Sequence, residues 1–556
     1  AVIALCLVKG SSGAAYFDDL YVGPNVPASF GAAPPPAPAP ALTTAGGAAT
    51  TTAATIHVDA SRIVRHIPDA IYGTNIEWIW DGDGIWDQAG HQLNPRIVEL
   101  TRELHPSLIR FPGGTFADFY HWRDGVGPAA QRKETPHMPG AGSSRHNFGT
   151  DEALAFADQA GGQLMITVNA GTGTAQEAAD WVRYVNGRGR RVTYWEIGNE
   201  LYVNDGSAQA KASTMTPERY ARLVLDFARA MRAADPSIRI GAIAEENYSP
   251  SAYKAYPNWT SEVLRTAGSQ IDFLCVHNGY APAIGQDKGW DVRTVYAAML
   301  AAPVLIRQSL DRIAGEIAAA APRVGIAVTE WGPYFQVTPN GRFVDHVKTL
   351  GSALYVADVL ALFAQTPAVQ IANGFKLVDP LYMGWIGKRG DTFEPTGPYY
   401  AAEMFTRHFG ADLVQSAANS PTYDSRAVGW ADAVRGVPYL DVVAARSGGG
   451  KLYLLAINKD FDRAIPARIS VTGFRPTGGT AWTLTGPSID SNTGTAPFRA
   501  PGVKWAQQAA DSRTPRIDQG SPSELGIHSV PIQGAAPDFV YTFPPRSVVS
   551  LEMQGR

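Results

Sequence analysis

The sequence predicts an α/β protein: a (β/α)8 TIM barrel followed by a C-terminal antiparallel β-sandwich, with an N-terminal β-strand fragment and a linker ahead of both. Three observations carry this. Between about residues 55 and 410, short β-branched runs alternate with longer amphipathic stretches, the mark of parallel βα units. Eight units can be counted, with long connections after several strands, as in a barrel whose upper loops are elaborated. From residue 411 to 556 the pattern changes to short alternating strands between turn-rich segments, such as KLYLLAINKD, ARISVTGF and DFVYTFPPRSVVSLEM. A doubly wound open sheet is the main competing arrangement.

Taken in order, residues 1–24 end in AAYFDDLYVGP and resemble the last strands of a carbohydrate-binding β-sandwich. Two dozen residues cannot build a core alone. Residues 25–54 turn to Pro, Ala, Thr and Gly, a composition that buries little and reads as a linker. The strand Thr55–Ala60 has no evident barrel partner and is a candidate to join the C-terminal sandwich. The expected barrel strands are Ala70–Glu77, Leu108–Pro112, Leu164–Asn169, Thr193–Gly198, Ile238–Ile243, Asp272–His277, Val324–Glu330 and Val369–Lys376. Pro217–Ala234 and Val347–Ala364 are among the helices expected between them.

Composition narrows the function classes. The formal net charge is −4, with no excess of Lys and Arg to suit a phosphate backbone or an anionic membrane, so no nucleic-acid partner is expected. The apolar runs are shorter than the ~20 residues of a membrane helix, and Ala1–Val8 lacks the basic start of a signal peptide. The modular layout nevertheless suggests an extracellular, secreted protein. Only Cys6 and Cys275 are present, too few for a disulfide framework. The 13 Trp and 22 Tyr fit sugar-stacking surfaces and an ordinary large core equally well.

Active groups of such a barrel sit where strands end, at the C-terminal rim. Four strand ends carry chemistry: Arg110-Phe111-Pro112-Gly113-Gly114, Trp195-Glu196-Ile197-Gly198-Asn199-Glu200, His277-Asn278-Gly279-Tyr280 and Thr329-Glu330-Trp331-Gly332. Cleaving a glycosidic bond with retention takes two carboxyls about 5–5.5 Å apart. Glu200 and Glu330, at the ends of strands four and seven, would face each other across the barrel mouth. Glu196 sits lower on its strand and reads as a buried carboxylate paired with an internal Arg or Lys. For Asp118, Glu245, Glu246 and Asp379, a solvated loop charge is the safer reading. No HExxH motif, clustered metal-ligand set or GxxxxGK loop appears, so no metal or cofactor is expected.

WEIGNE followed by TEW resembles the clan of retaining glycosidases with acid/base and nucleophile on strands four and seven. YGTNIE, RFPGGTFADFYHWRDGVGP, FGTDE and YWEIGNE together resemble glycoside hydrolase family 51, which contains α-L-arabinofuranosidases and some endoglucanases. The likeness spans about residues 55–556. It implies Glu200 as general acid/base and Glu330 as nucleophile. Asn199 would contact the sugar 2-hydroxyl, Glu77 would bind sugar, and Arg110 would stabilise ionised Glu330. Tyr280 would hydrogen-bond the nucleophile with His277 beside it, although two residues part His277 from Tyr280 where the family usually has one.

Two departures bear on substrate. Thr115 follows the strand-two PGG where the arabinofuranosidases typically have Asn, and Asn373-Gly374-Phe375-Lys376 lacks the Gln expected at strand eight. EWIWDGDGIWD places Trp78, Trp80 and Trp86 within nine positions, a spacing that suits a chain of sugars, although one or two could simply pack under the loop. Trp385 is the expected floor beneath the sugar beside the cleaved bond. These features favour an endo-β-1,4-glucanase, a cellulase with xylan as a second substrate, acting on plant cell-wall polysaccharide or its oligosaccharides. An α-L-arabinofuranosidase is the alternative. A non-catalytic sugar binder on a glycosidase scaffold is the remote one.

Overall fold

The computed structural model describes residues 43–44, 52–249, 255–335, 342–379, 383–389, 392–492 and 525–556. The fragment 1–24, most of the linker 25–54 and Cys6 lie outside these residues.

Eight parallel strands close into a barrel: β1 (Gly73–Asn75), β2 (Leu108–Phe111), β3 (Gln163–Val168), β4 (Tyr194–Ile197), β5 (Arg239–Ile243), β6 (Phe273–Pro282), β7 (Gly325–Tyr334) and β8 (Val369–Gly374). β8 returns to β1 through Asn373 beside Gly73 and Gly374 beside Thr74, which excludes the doubly wound open sheet. Helices cover the outer face, so the strands are buried on both sides and read as near-continuous apolar runs. Cys275, on β6, is buried and free.

Three strands depart from their expected limits. The run expected over Ala70–Glu77 is cut short because Asp69–Ile71 forms a 3-10 turn. β6 and β7 continue beyond His277 and Glu330, out to Pro282 and Tyr334. Along this extension His277 pairs with Glu330 and Tyr280 with Gly332, so three steps on β6 match two on β7. The surplus residue is absorbed in a β-bulge, and Gly279 there takes a φ of +130°, which a residue with a Cβ resists.

Helix Pro217–Ala234 begins where the Thr216 side chain accepts a hydrogen bond from the Arg219 amide, with Pro217 at the first helical position. Helix Leu350–Gln365 starts later than expected because Val344–Lys348 forms a 3-10 turn before it. Every residue from Leu350 to Ala364 is buried, since this helix lies between the barrel and the C-terminal sheet.

Among the described residues that sheet has ten strands. Ala54–His66 runs in its middle, parallel to Ile465–Thr472 and antiparallel to Asp412–Asn419, and all other neighbouring pairs are antiparallel. Ala54, Ile56, Val58 and Ala60 alternate into a core shared with Leu454, Ile469, Phe539 and Leu551. Thr43–Thr44 pairs antiparallel with Phe539 and Val540 at one edge. Among the described residues no helix is long and apolar enough to cross a membrane.

Candidate active site

Arg110, at the end of β2, is fully buried and organises the mouth of the barrel. Its guanidinium donates to four acceptors: Glu196 Oε2 at 2.6 Å, Asn75 Oδ1 at 2.9 Å, Glu330 Oε1 at 3.0 Å and Asn199 Oδ1 at 2.8 Å. Burial works against its charge, but Glu196 and Glu330 outweigh this and hold it protonated, above its ordinary range. Glu196 also accepts from Thr167 Oγ1 at 2.7 Å and Thr329 Oγ1 at 2.8 Å. Burial alone would push its carboxyl up; Arg110, His277 and these hydroxyls bring it below the ordinary value.

Glu330 Oε2 receives the Tyr280 hydroxyl at 2.8 Å. The β6 bulge explains how Tyr280 gets there: it absorbs the extra residue after His277 and leaves Tyr280 facing β7. His277 Nδ1 lies 2.8 Å from Glu200 Oε1 and 3.6 Å from Glu330 Oε2. Although burial pulls the imidazole down, these two carboxyls raise it above its ordinary value. Glu200, with a φ of +45°, sits where the chain leaves β4. Side-chain ligand atoms of Glu200, His277 and Glu330 all lie within 4.8 Å of one another. Two carboxyls this close suit double displacement; an inverting pair keeps about 6.5–9.5 Å for an attacking water.

Asp118, two per cent exposed, is no solvated loop charge. Its carboxyl accepts the backbone N–H groups of Asn199 at 2.9 Å, Ala170 at 3.3 Å and Gly171 at 3.2 Å, which fixes the end of β4. Burial pushes it up to about 8 against those three donors. Glu245 and Glu246 are likewise engaged, by the amides of Ala255 and Tyr256 and by Arg312. Asp379 is buried and accepts from the Met383 amide. Asn199 gives its Oδ1 to Arg110, and its Nδ2 is a buried donor with no hydrogen-bond partner.

Glu77 does not act alone. Lys376 Nζ donates to Glu77 Oε2 at 2.6 Å and to Asp83 Oδ2 at 2.7 Å, all three groups being buried. Burial raises both carboxyls, the ammonium offsets part of that, and Lys376 itself is held charged. The sequence marked Lys376 only as a departure at strand eight.

The catalytic pocket is a cavity of about 170 Å3. It holds Glu200, Glu330, His277 and Tyr280, and it adds Tyr334, Phe375 and Trp430, which sequence reasoning missed. No local signal marks Trp430: it comes from the C-terminal part of the chain and reaches β6 by donating its backbone N–H to Pro282 O at 2.7 Å. Trp78 is fully buried and stacks on His146, with ring centroids 4.1 Å apart, so it offers no face to a sugar. Trp385 is three per cent exposed, packs beneath Gly374 and against Trp331, and is not among the residues lining the pocket. Trp80 opens onto a separate groove.

A closed barrel with this carboxyl pair at its C-terminal rim defines a glycoside hydrolase. Residues 100–272 match the family described as Alpha-L-arabinofuranosidase 1 domain, and residues 329–514 match the Alpha-L-arabinofuranosidase C-terminal domain. The chain belongs to glycoside hydrolase family 51. It is 28% identical over 458 residues to the probable alpha-L-arabinofuranosidase C of Aspergillus terreus, spanning 76% of this chain and 86% of that protein. It is 26% identical over 462 residues to the intracellular exo-alpha-(1->5)-L-arabinofuranosidase of Halalkalibacterium halodurans, spanning 76% and 88%. The solved structure of the thermostable family 51 alpha-L-arabinofuranosidase from Thermotoga petrophila aligns with a TM-score of 0.69 at 25% identity, over 90% of this chain and 99% of that one.

These relatives overturn the expectation of an endo-β-1,4-glucanase. The structure supplies the physical reason: the tryptophans that suggested a chain of sugars are buried (Trp78) or stand outside the catalytic pocket (Trp80, Trp86). The change from Asn to Thr115 does not outweigh this.

Proposed function

We propose that the protein is a retaining, exo-acting α-L-arabinofuranosidase that removes single arabinofuranosyl groups from plant polysaccharides or their oligosaccharides. The observation that carries this reading is the carboxyl pair lining a cavity of about 170 Å3. That is well below the ~300–1,000 Å3 of sites for larger ligands, so it accepts one small ring. The names of the relatives point to the same sugar.

Glu330 attacks the anomeric carbon, and Arg110 and Tyr280 stabilise its ionised form through one oxygen each. Glu200 protonates the departing oxygen, forming the glycosyl-enzyme, then deprotonates the water that releases arabinose. His277 orients Glu200. The orphaned Nδ2 of Asn199 is the donor for the sugar 2-hydroxyl, and Glu77, held by Lys376, accepts from the ring's other hydroxyls.

The test is hydrolysis of p-nitrophenyl α-L-arabinofuranoside beside carboxymethylcellulose. Arabinose release with no fall in cellulose viscosity is expected, and Glu200→Ala and Glu330→Ala should each lose at least about a thousandfold in kcat/KM. Azide should partly rescue Glu330→Ala with inverted product. Viscosity loss without arabinose release, or retention in the azide product, overturns the reading.

A further inference from the structure

A groove of about 610 Å3, with no lining residue in common with the catalytic pocket, reaches the Lys376 bridge through Asp83. The connection after β1 and the hairpin Ile386–Arg389 with Thr392–Pro395 form it, through Trp80, Trp86, Gln88, His91, Lys388 and Phe393. Trp80 and Trp86 are half-buried, so part of each indole faces the opening. Asp83, two per cent exposed, also lines the groove; Lys376 holds its Oδ2, and its Oδ1 has no hydrogen-bond partner. The indole Nε1 of Trp80 is a second buried polar atom without a partner. Both atoms lie beneath the surface, and at the surface the groove offers Asp87, Gln88 and His91, which together donate and accept hydrogen bonds. Aromatic faces combined with two-way hydrogen bonding match a sugar chain. Asp81, Asp83 and Asp87 outnumber Lys388, which disfavours acidic sugars. A cation is disfavoured as well: among the described residues only Glu200, His277 and Glu330 gather ligand atoms for one. At more than three times the volume of the catalytic pocket, the groove has room for more than one ring.

We propose that this groove binds the neutral backbone of the branched polysaccharide whose side-chain sugar is cleaved in the catalytic pocket, with Trp80 and Trp86 as its stacking faces. The identity of the side chain rests on the arabinofuranosidase reading; the groove's preference for a sugar chain does not. The test uses the full chain, Trp86→Ala and Gln88→Ala. On p-nitrophenyl α-L-arabinofuranoside both variants should stay within about twofold of wild type. On arabinoxylan or branched arabinan, Trp86→Ala should lose about tenfold in kcat/KM through KM, and Gln88→Ala should lose less in the same direction. Affinity electrophoresis in gels containing unbranched xylan or linear arabinan should retard the wild type and not Trp86→Ala, and the gel that retards identifies the backbone. Equal losses on small and polymeric substrates, or no retardation of the wild type in either gel, overturn the proposal. If Trp86→Ala does not fold, Gln88→Ala and the wild-type gels decide. Retardation without any cleavage of the arabinofuranoside would sustain the groove and reject the arabinofuranosidase reading.

Discussion

At the scale of single residues, the site depends on how Arg110 divides its donors. Its positive charge serves Glu196 and Glu330 together while the same fork anchors Asn75 and Asn199. Glu196 takes no part in bond cleavage, yet it fixes the guanidinium plane. Replacing it with Gln should leave the far-UV circular dichroism intact and cost about a hundredfold in kcat/KM, the scale of loss when reacting groups are displaced by about an ångström. A pH effect accompanies this. Glu196 titrates below its ordinary 4.5 in the fold, so its contribution to stability is complete above about 4.5 and is lost as pH falls through the lower folded value. Wild type should lose stability more steeply than Glu196→Gln in that acid window, as chemical denaturation at stepped pH would show. Parallel curves would remove Glu196 from the acid response.

At the scale of elements, the informative pieces are a bulge and a turn. Gly429, with a φ of +59°, holds Trp430 at the pocket, and a Cβ there would fall 2.2 Å from Pro282 O. Gly429→Ala should therefore push the turn off β6 and raise KM for the arabinofuranoside several-fold while kcat changes less, because Glu200 and Glu330 stand on other elements. Equal falls in kcat and kcat/KM would show that the turn supports the reacting groups instead. Sequence alone carried much of this level. Eight βα units were readable because the strands are largely apolar and β-branched, and WEIGNE and TEW placed Glu200 and Glu330 facing each other across one rim. What stayed hidden depends on approach between distant segments. Trp430 lies 100 residues from Glu330 in a turn-rich stretch. Lys376 looks like a missing Gln until Asp83 is seen behind it. Trp78 and Trp86 have the same local pattern, and only the packing of His146 on Trp78 separates a core indole from a half-exposed one.

At the scale of the molecule, the barrel and the ten-stranded sheet are joined by helix Leu350–Gln365 and by one buried cation. Lys459, at the end of the strand Lys451–Asn458, donates from Nζ to Asp358 on that helix at 2.9 Å and also pairs with Asp441. Burial raises the Asp358 carboxyl to about 6, with Lys459 opposing the rise. Lys459→Met removes the opposing charge and leaves Asp358 buried with the Asp441 carboxyl nearby. Losing one partner of a buried pair costs about 3–5 kcal/mol. The sign with pH follows from Asp358, whose folded value would then climb further above its ordinary 3.8. A carboxyl raised in the fold gives its full stabilisation below the unfolded value and loses it as pH rises through the folded one. The deficit in Tm of Lys459→Met should therefore be larger at pH 8 than at pH 5, and adding Asp358→Asn should recover most of it. A deficit that ignores pH, or a double variant as unstable as the single one, would show that Lys459 contributes through its packing and not its charge.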